Sequence, residues 1–103
     1  MMAHFAKVVD GVVVDVLVVD NAQLDDLEFP ESEPLGQAFL ADLGFDGEWL
    51  QTSYNNQFRF WFASPGMVWD GTAFYSQPPG EDWTLDPGTY QWVNSAGKRI
   101  PER

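Results

Sequence analysis

Cysteine is absent from this 103-residue chain. No disulfide, thiolate zinc site or cysteine nucleophile can therefore be built. Its absence favours a reducing compartment, or a particle assembled in one. Basic residues are scarce: five Lys and Arg face sixteen Asp and Glu, for a formal net charge of −11. Binding to nucleic-acid phosphates requires a basic patch, which this balance does not supply. Anionic membranes would repel such a chain. Histidine occurs once, as His4, with no carboxylate partner evident for acid–base work. Long apolar runs are missing too. Val12–Val19 is broken by Asp15 and is too short to span a bilayer. Met1–Val9 lacks the pattern of a signal peptide. No G-x-S-x-G context surrounds Ser53, Ser64, Ser76 or Ser95. No phosphate-cradling glycine motif occurs, and the acidic run lacks calcium-loop spacing. The expectation is a non-enzymatic protein without catalytic, cofactor-binding or metal residues.

What is present is apolar and aromatic. The hydrophobic fraction of 45%, with 16% aromatic, is too high for a disordered chain. The length fits one domain, expected over residues 1–93, followed by a loose basic tail over 94–103. Acidic surplus keeps a protein soluble at high local concentration and steers it onto basic surfaces. Mimicry of DNA's phosphate charge is a third use of the same surplus.

Turn signals divide the chain into hairpins. Asp10-Gly11 separates two runs of β-branched residues, His4–Val9 and Val12–Val19. In the second run, Val12, Val14, Val16 and Val18 should share one face, and Val13, Asp15, Leu17 and Val19 the other. Asp20–Pro34 is acidic and reads as a surface loop with a helical turn at Ala22–Leu27. Leu35–Leu43 reads as a helix between Pro34 and Gly44, with Leu35, Ala38, Phe39 and Leu43 on its apolar stripe. Trp49–Tyr54 and Gln57–Ala63 read as strands joined at Asn55-Asn56. Met67–Trp69 with Thr72–Ser76, and Trp83–Leu85 with Tyr90–Val93, form further hairpins. The fold class is β-dominated α+β: six or seven short antiparallel strands, with one short helix packed on a sheet.

Trp49–Gly71 holds three of the five tryptophans and should supply much of the core. Arg59 stands alone among acids, so pairing with a carboxylate is expected; an interface anchor is its other reading. Trp61, Trp69, Trp83 and Trp92 with Asp70, Asn55 and Asn56 are residue types that also bind sugars. So many aromatics should leave some at the surface. Phe58, Arg59, Trp61 and Trp69 are the candidate partner contacts, with Lys98 and Arg99 of the tail reaching a neighbour's acidic loop.

Met2-Ala3-His4-Phe5-Ala6-Lys7-Val8 and Trp49-Leu50-Gln51-Thr52-Ser53-Tyr54-Asn55-Asn56 resemble segments of a group of small proteins of marine tailed bacteriophages. Phe58-Arg59, Phe62-Ala63 with Gly66-Met67, and Trp83-Thr84-Leu85-Asp86 extend the resemblance to about Val93. Phe60-Trp61-Phe62 departs from the group's pattern. The resemblance implies a virion structural protein, first a capsid cement or decoration protein that binds the major capsid protein. It implies assembly in the bacterial host cytoplasm, with Met2 the natural start and Met1 an extra residue. The two mostly apolar faces of Val12–Val19 and the many aromatics add the expectation of a homo-oligomer on the particle or a partner-bound protein. A tail or baseplate component that binds host-surface glycan is the alternative, and an acidic DNA-mimic inhibitor the third. No catalytic or ligand residue carries over from the group.

Overall fold

The computed structural model describes residues 2–101; the readings of Met1 as an extra residue and of Arg103 as part of the tail fall outside them. Asp10 and Gly11 both take positive φ, at 52° and 77°, as a two-residue hairpin turn demands. They join β1 (Met2–Val9) to β2 (Val12–Asp20). β3 (Glu48–Thr52) pairs with the other side of β1. β4 (Val68–Trp69) and β5 (Phe74–Tyr75) continue beyond β2, for a sheet order β3-β1-β2-β4-β5. A second sheet holds β6 (Trp83–Leu85), β7 (Trp92–Asn94) and β8 (Arg99–Ile100) in that order. All strand pairs are antiparallel, so the β-dominated α+β class is as the turn signals implied.

A bulge in the β1–β2 pairing decides which valines are buried. Lys7 opposes Asp15, but Val8 opposes Val13, so Val14 is an extra residue. The alternation therefore changes phase at Val14. Leu17 and Val19 face the helix side, with Ala3, Phe5 and Trp49. Val13 and Val16 pack together on the other side, with Ala6, Val8, Ala63 and Phe74. An unbroken strand would have placed Val13 with Leu17.

α1 spans Ser32–Asp42, three residues earlier than the proline suggested. Pro34 still falls in the first turn, where its missing N–H costs nothing. The buried line is Ser32, Gly36 and Leu40, with Leu35 and Phe39 half-buried beside it. Leu43 and Ala38, expected on the stripe, are exposed. The contact line shifts because Gly36 lets the helix backbone approach the sheet. A Cβ on Gly36 would overlap the ring of Phe5, which is fully buried. Gly36→Ala therefore sets two effects against each other. Helix propensity gains about 1 kcal/mol. Overpacking against a ring with no free space costs about 1–3 kcal/mol. We expect a net loss, seen as a lower midpoint in urea denaturation. An unchanged or higher midpoint would show that the ring can move aside.

Several local expectations change. Gln57–Ala63 is not a strand. Asn56, Arg59 and Phe60 all take positive φ, which breaks the extended chain, and only a single bridge joins Phe60 to Phe74. Asp70-Gly71 begins a four-residue connection, since Trp69 pairs with Phe74. Asp70 Oδ1 accepts hydrogen bonds from the N–H groups of Thr72 and Ala73, which fixes this loop. The acidic segment contains a 3-10 turn, Asn21–Leu24, and Leu24 is fully buried under α1. Of the expected loose tail, residues 94–101 are held in place: Trp92 pairs with Ile100 and Val93 with Arg99.

Aromatic residues join the two sheets. The Trp61 indole N–H donates to the carbonyls of Thr89 (3.2 Å) and Tyr90 (2.9 Å) in the β6–β7 connection. The Trp92 indole N–H donates to Ser76 O at 2.9 Å, just after β5. Phe60 and Tyr75 both pack on Tyr90, and Tyr75 also meets Trp92. Tyr75 and Tyr90 fill the space between sheets that each bury too little alone.

Candidate functional site

Arg59 is the centre of an internal network. Its guanidinium forms a two-pronged ion pair with Glu33 in the first turn of α1, one prong measuring 3.0 Å. It also donates to Gln51 O at 2.9 Å, and Gln51 N donates to Glu33 Oε2 at 2.8 Å. The Arg59 side chain lies over the rings of Phe29 (4.8 Å) and Trp69 (5.1 Å). Phe29 in turn stacks on Phe58 at 3.9 Å. The expected carboxylate partner is therefore present, and it comes from the acidic segment that was expected to face solvent.

The network closes one edge of the large sheet. Outer backbone groups of β3 bond to side chains: Trp49 O accepts from Gln37 Nε2, and Gln51 uses Glu33 and Arg59. Polar residues of the Gln51–Asn56 motif continue this work. Gln51 Oε1 accepts from the buried Ser32 hydroxyl at 2.6 Å. Thr52 Oγ1 accepts from Ala63 N, Ser53 Oγ from Gln57 N, and Asn56 Oδ1 from Phe62 N. The motif that carries the family resemblance is thus a set of backbone-holding side chains. At the far edge, Phe74 N donates to Arg59 O, so the same loop covers β5.

β2 is different. Its outer side is held only near the hairpin, where Val12 pairs with Val68, Val13 bonds Gly66 and Met67, and Gly11 O accepts from Trp69 N. Among the described residues, no other strand pairs with the outer side of Val14–Asp20. Val16 N bonds instead to the Asp15 carboxylate at 2.8 Å. Val14 and Val18 are 49% and 51% exposed. On the sheet face away from α1, strand alternation places Met2 and His4 beside Val16 and Val18. Met2 is 54% exposed, and Tyr54, 67% exposed, stacks on His4 at 5.4 Å. Phe62 closes on both rings edgewise. A cleft of about 230 Å³ lies next to them, bounded by His4, Glu28, Phe29, Thr52 and Phe58.

The sequence-selected residues scatter over the molecule. Phe58 and Trp69 are half-buried within the Arg59 network. Trp61 is 6% exposed and works internally, so it offers no surface to a partner. Arg99 pairs with Asp86 at 2.7 Å and clasps β8 to the β6–β7 connection, instead of reaching outward. Lys98 is exposed in the turn before it. All five tryptophans are buried or half-buried, so the surface apolar residues are mainly aliphatic. Asp70 and Asn56, offered for sugar hydroxyls, hold backbone N–H groups. Met2, Val14, Val18 and Tyr54 were not selected. The signal for Val14 was the bulge, which no residue type announces; for Met2 it was simply the strand's parity with His4.

Burial holds the His4 imidazole below its usual range. Above pH 6.5 both folded and unfolded chains carry it neutral, so stability is unaffected. As pH falls below 6.5, the unfolded chain takes a proton that the folded chain resists, and stability drops. We expect the melting temperature to fall between pH 7 and pH 5.5, and His4→Phe to remove part of that fall. An identical pH profile in the variant would show that His4 is freely solvated. Asp86 is held below the usual carboxylate range by hydrogen bonding from Arg99 and from Gly88 N–H.

Among the described residues no group of three acidic or histidine side chains is placed to hold a metal, and no helix is long and apolar enough to cross a membrane. Comparison with protein-family models, with curated proteins and with solved structures finds no match to this chain.

Proposed function

We propose that this protein is a structural component of a tailed-phage virion, a decoration protein that binds the major capsid protein and stabilises the head. The observation that carries this reading is a group of exposed apolar side chains at one end of the large sheet: Met2 and Val18 on the face away from α1, Tyr54 stacked on His4 beside them, and Val14 further along the outer edge of β2. Exposed apolar side chains gathered at one place mark a protein interface more often than chance solvent exposure. The residue-level resemblance to marine phage proteins supports the virion setting. The acidic surface suits a high-copy protein, which must stay soluble before it docks. As a decoration protein it would act without cofactor, nucleic acid or membrane, and a lattice would present it in many copies.

Co-sedimentation separates this from its alternatives. Purified protein is mixed with emptied heads and, separately, with isolated tails. Saturable binding to heads is expected. Binding to tails alone would favour the glycan-binding tail component. Binding to neither, together with salt-sensitive capture by a basic host enzyme, would favour the DNA mimic.

A further inference from the structure

We infer that the partner adds a strand to the outer edge of β2 along Val14–Asp20, and that this strand is extended and basic. This inference rests on the proposed role as a binding protein and specifies its mode. The contrast among the sheet's edges is what points here. β3 is closed by Gln37, Glu33 and Arg59, and β5 by the Arg59–Phe60 segment. In the large sheet, the outer side of Val14–Asp20 has neither a neighbouring strand nor such a cover among the described residues, and this run is longer than the edge strands of the small sheet, β6 with three residues and β8 with two. Such edges are templates for strand addition, in which main-chain hydrogen bonds supply affinity and alternate side chains supply specificity.

Natural edges are usually blunted. Here the blunting is slight: Asp15 folds its carboxylate back onto Val16 N. An incoming carbonyl can replace that bond and free the carboxylate to meet a cation. Val14 and Val18 provide exposed apolar contacts on the same segment. Charge then decides the occupant. A second copy paired antiparallel over the full run Asp15–Asp20 would set each Asp15 opposite the other copy's Asp20. Like charges directly opposite destabilise a strand pair, and both chains carry a net charge of −11. A partner strand with Lys or Arg meets the same aspartates favourably.

The test uses the whole protein and three nine-residue probe peptides. One alternates lysine and valine. The second replaces lysine with glutamate. The third is the lysine peptide with alternate backbone nitrogens methylated. The lysine peptide should shift the amide resonances of Val14–Asp20 and slow their hydrogen exchange. The glutamate and N-methyl versions should not. Val18→Lys should fold normally, because Val18 is exposed, and weaken the lysine peptide about tenfold, the effect of roughly 1.4 kcal/mol. Equal binding of the glutamate peptide, shifts elsewhere on the surface, or self-association through β2 would each overturn the inference. Head binding that survives Val18→Lys unchanged would overturn this mode while leaving the capsid role intact. Failure of the unaltered protein to bind heads would end the capsid role and leave the peptide result standing.

Discussion

Arg59→Ala is expected to remove a large share of the folding stability. The guanidinium and its Glu33 partner are only 18% and 16% exposed in their side chains. Removing Arg59 leaves the Glu33 carboxylate largely desolvated and without its cation, and the Gln51 carbonyl without one donor. Breaking one side of a buried pair costs about 3–5 kcal/mol, and partial exposure here puts the loss near the lower bound. Small domains are stable by about 5–15 kcal/mol, so this is a large share. The melting temperature should fall by ~10 °C or more. Arg59→Lys should recover little, because an ammonium cannot make the two-pronged contact or lie flat between Phe29 and Trp69. Arg59→Ala melting within about 2 °C of the unaltered protein would show that the pair contributes only as exposed ion pairs do.

Trp61→Ala should cost about 3–5 kcal/mol, the usual loss for a large buried aromatic. Its distinguishing consequence is where the damage falls. The indole spans from the Phe60–Ala63 loop to the carbonyls of Thr89 and Tyr90. Without it, hydrogen exchange should accelerate first in β6, β7 and β8, while β1 and β2 stay protected under α1. Trp61→Phe keeps most of the apolar contact and loses the two hydrogen bonds. It should cost about 1–2 kcal/mol, near what one or two neutral hydrogen bonds contribute. Uniform loss of protection across both sheets would show that the sheets unfold as one unit and that Trp61 is ordinary core.

The parts of the fold that the sequence made legible are those set by local chemistry. Asp10-Gly11 specifies a two-residue turn because both positions need positive φ, and the flanking valines have no better use than strands. Gly44, at φ 90°, ends α1 as its position implied. What stayed hidden depends on distant partners. The start of α1 at Ser32 is drawn back by Gln51 and Arg59, which reach Ser32 and Glu33 from across the fold. Arg59 and Phe60 leave the extended region although their aromatic neighbours favour strands, because the loop must turn to deliver the guanidinium. The bulge at Val14 changes which valines face outward without altering the residue pattern at all. The candidate surface was obscured for the same reason. Tryptophan and arginine looked like interface anchors by type, yet the fold spends them on joining its own parts. The surface is made of Met2, Val14, Val18 and Tyr54, which by type look like ordinary strand residues.

The central claim is that this chain is a capsid-bound virion component, and quantitative peptide mass spectrometry of purified virions tests it most directly. Isotope-labelled peptides from this chain and from the major capsid protein give the copy ratio per particle. Hundreds of copies per virion, in a simple ratio to the capsid protein, is the expected result. Absence from purified particles, with the protein recovered only in the lysate of infected cells, would contradict it.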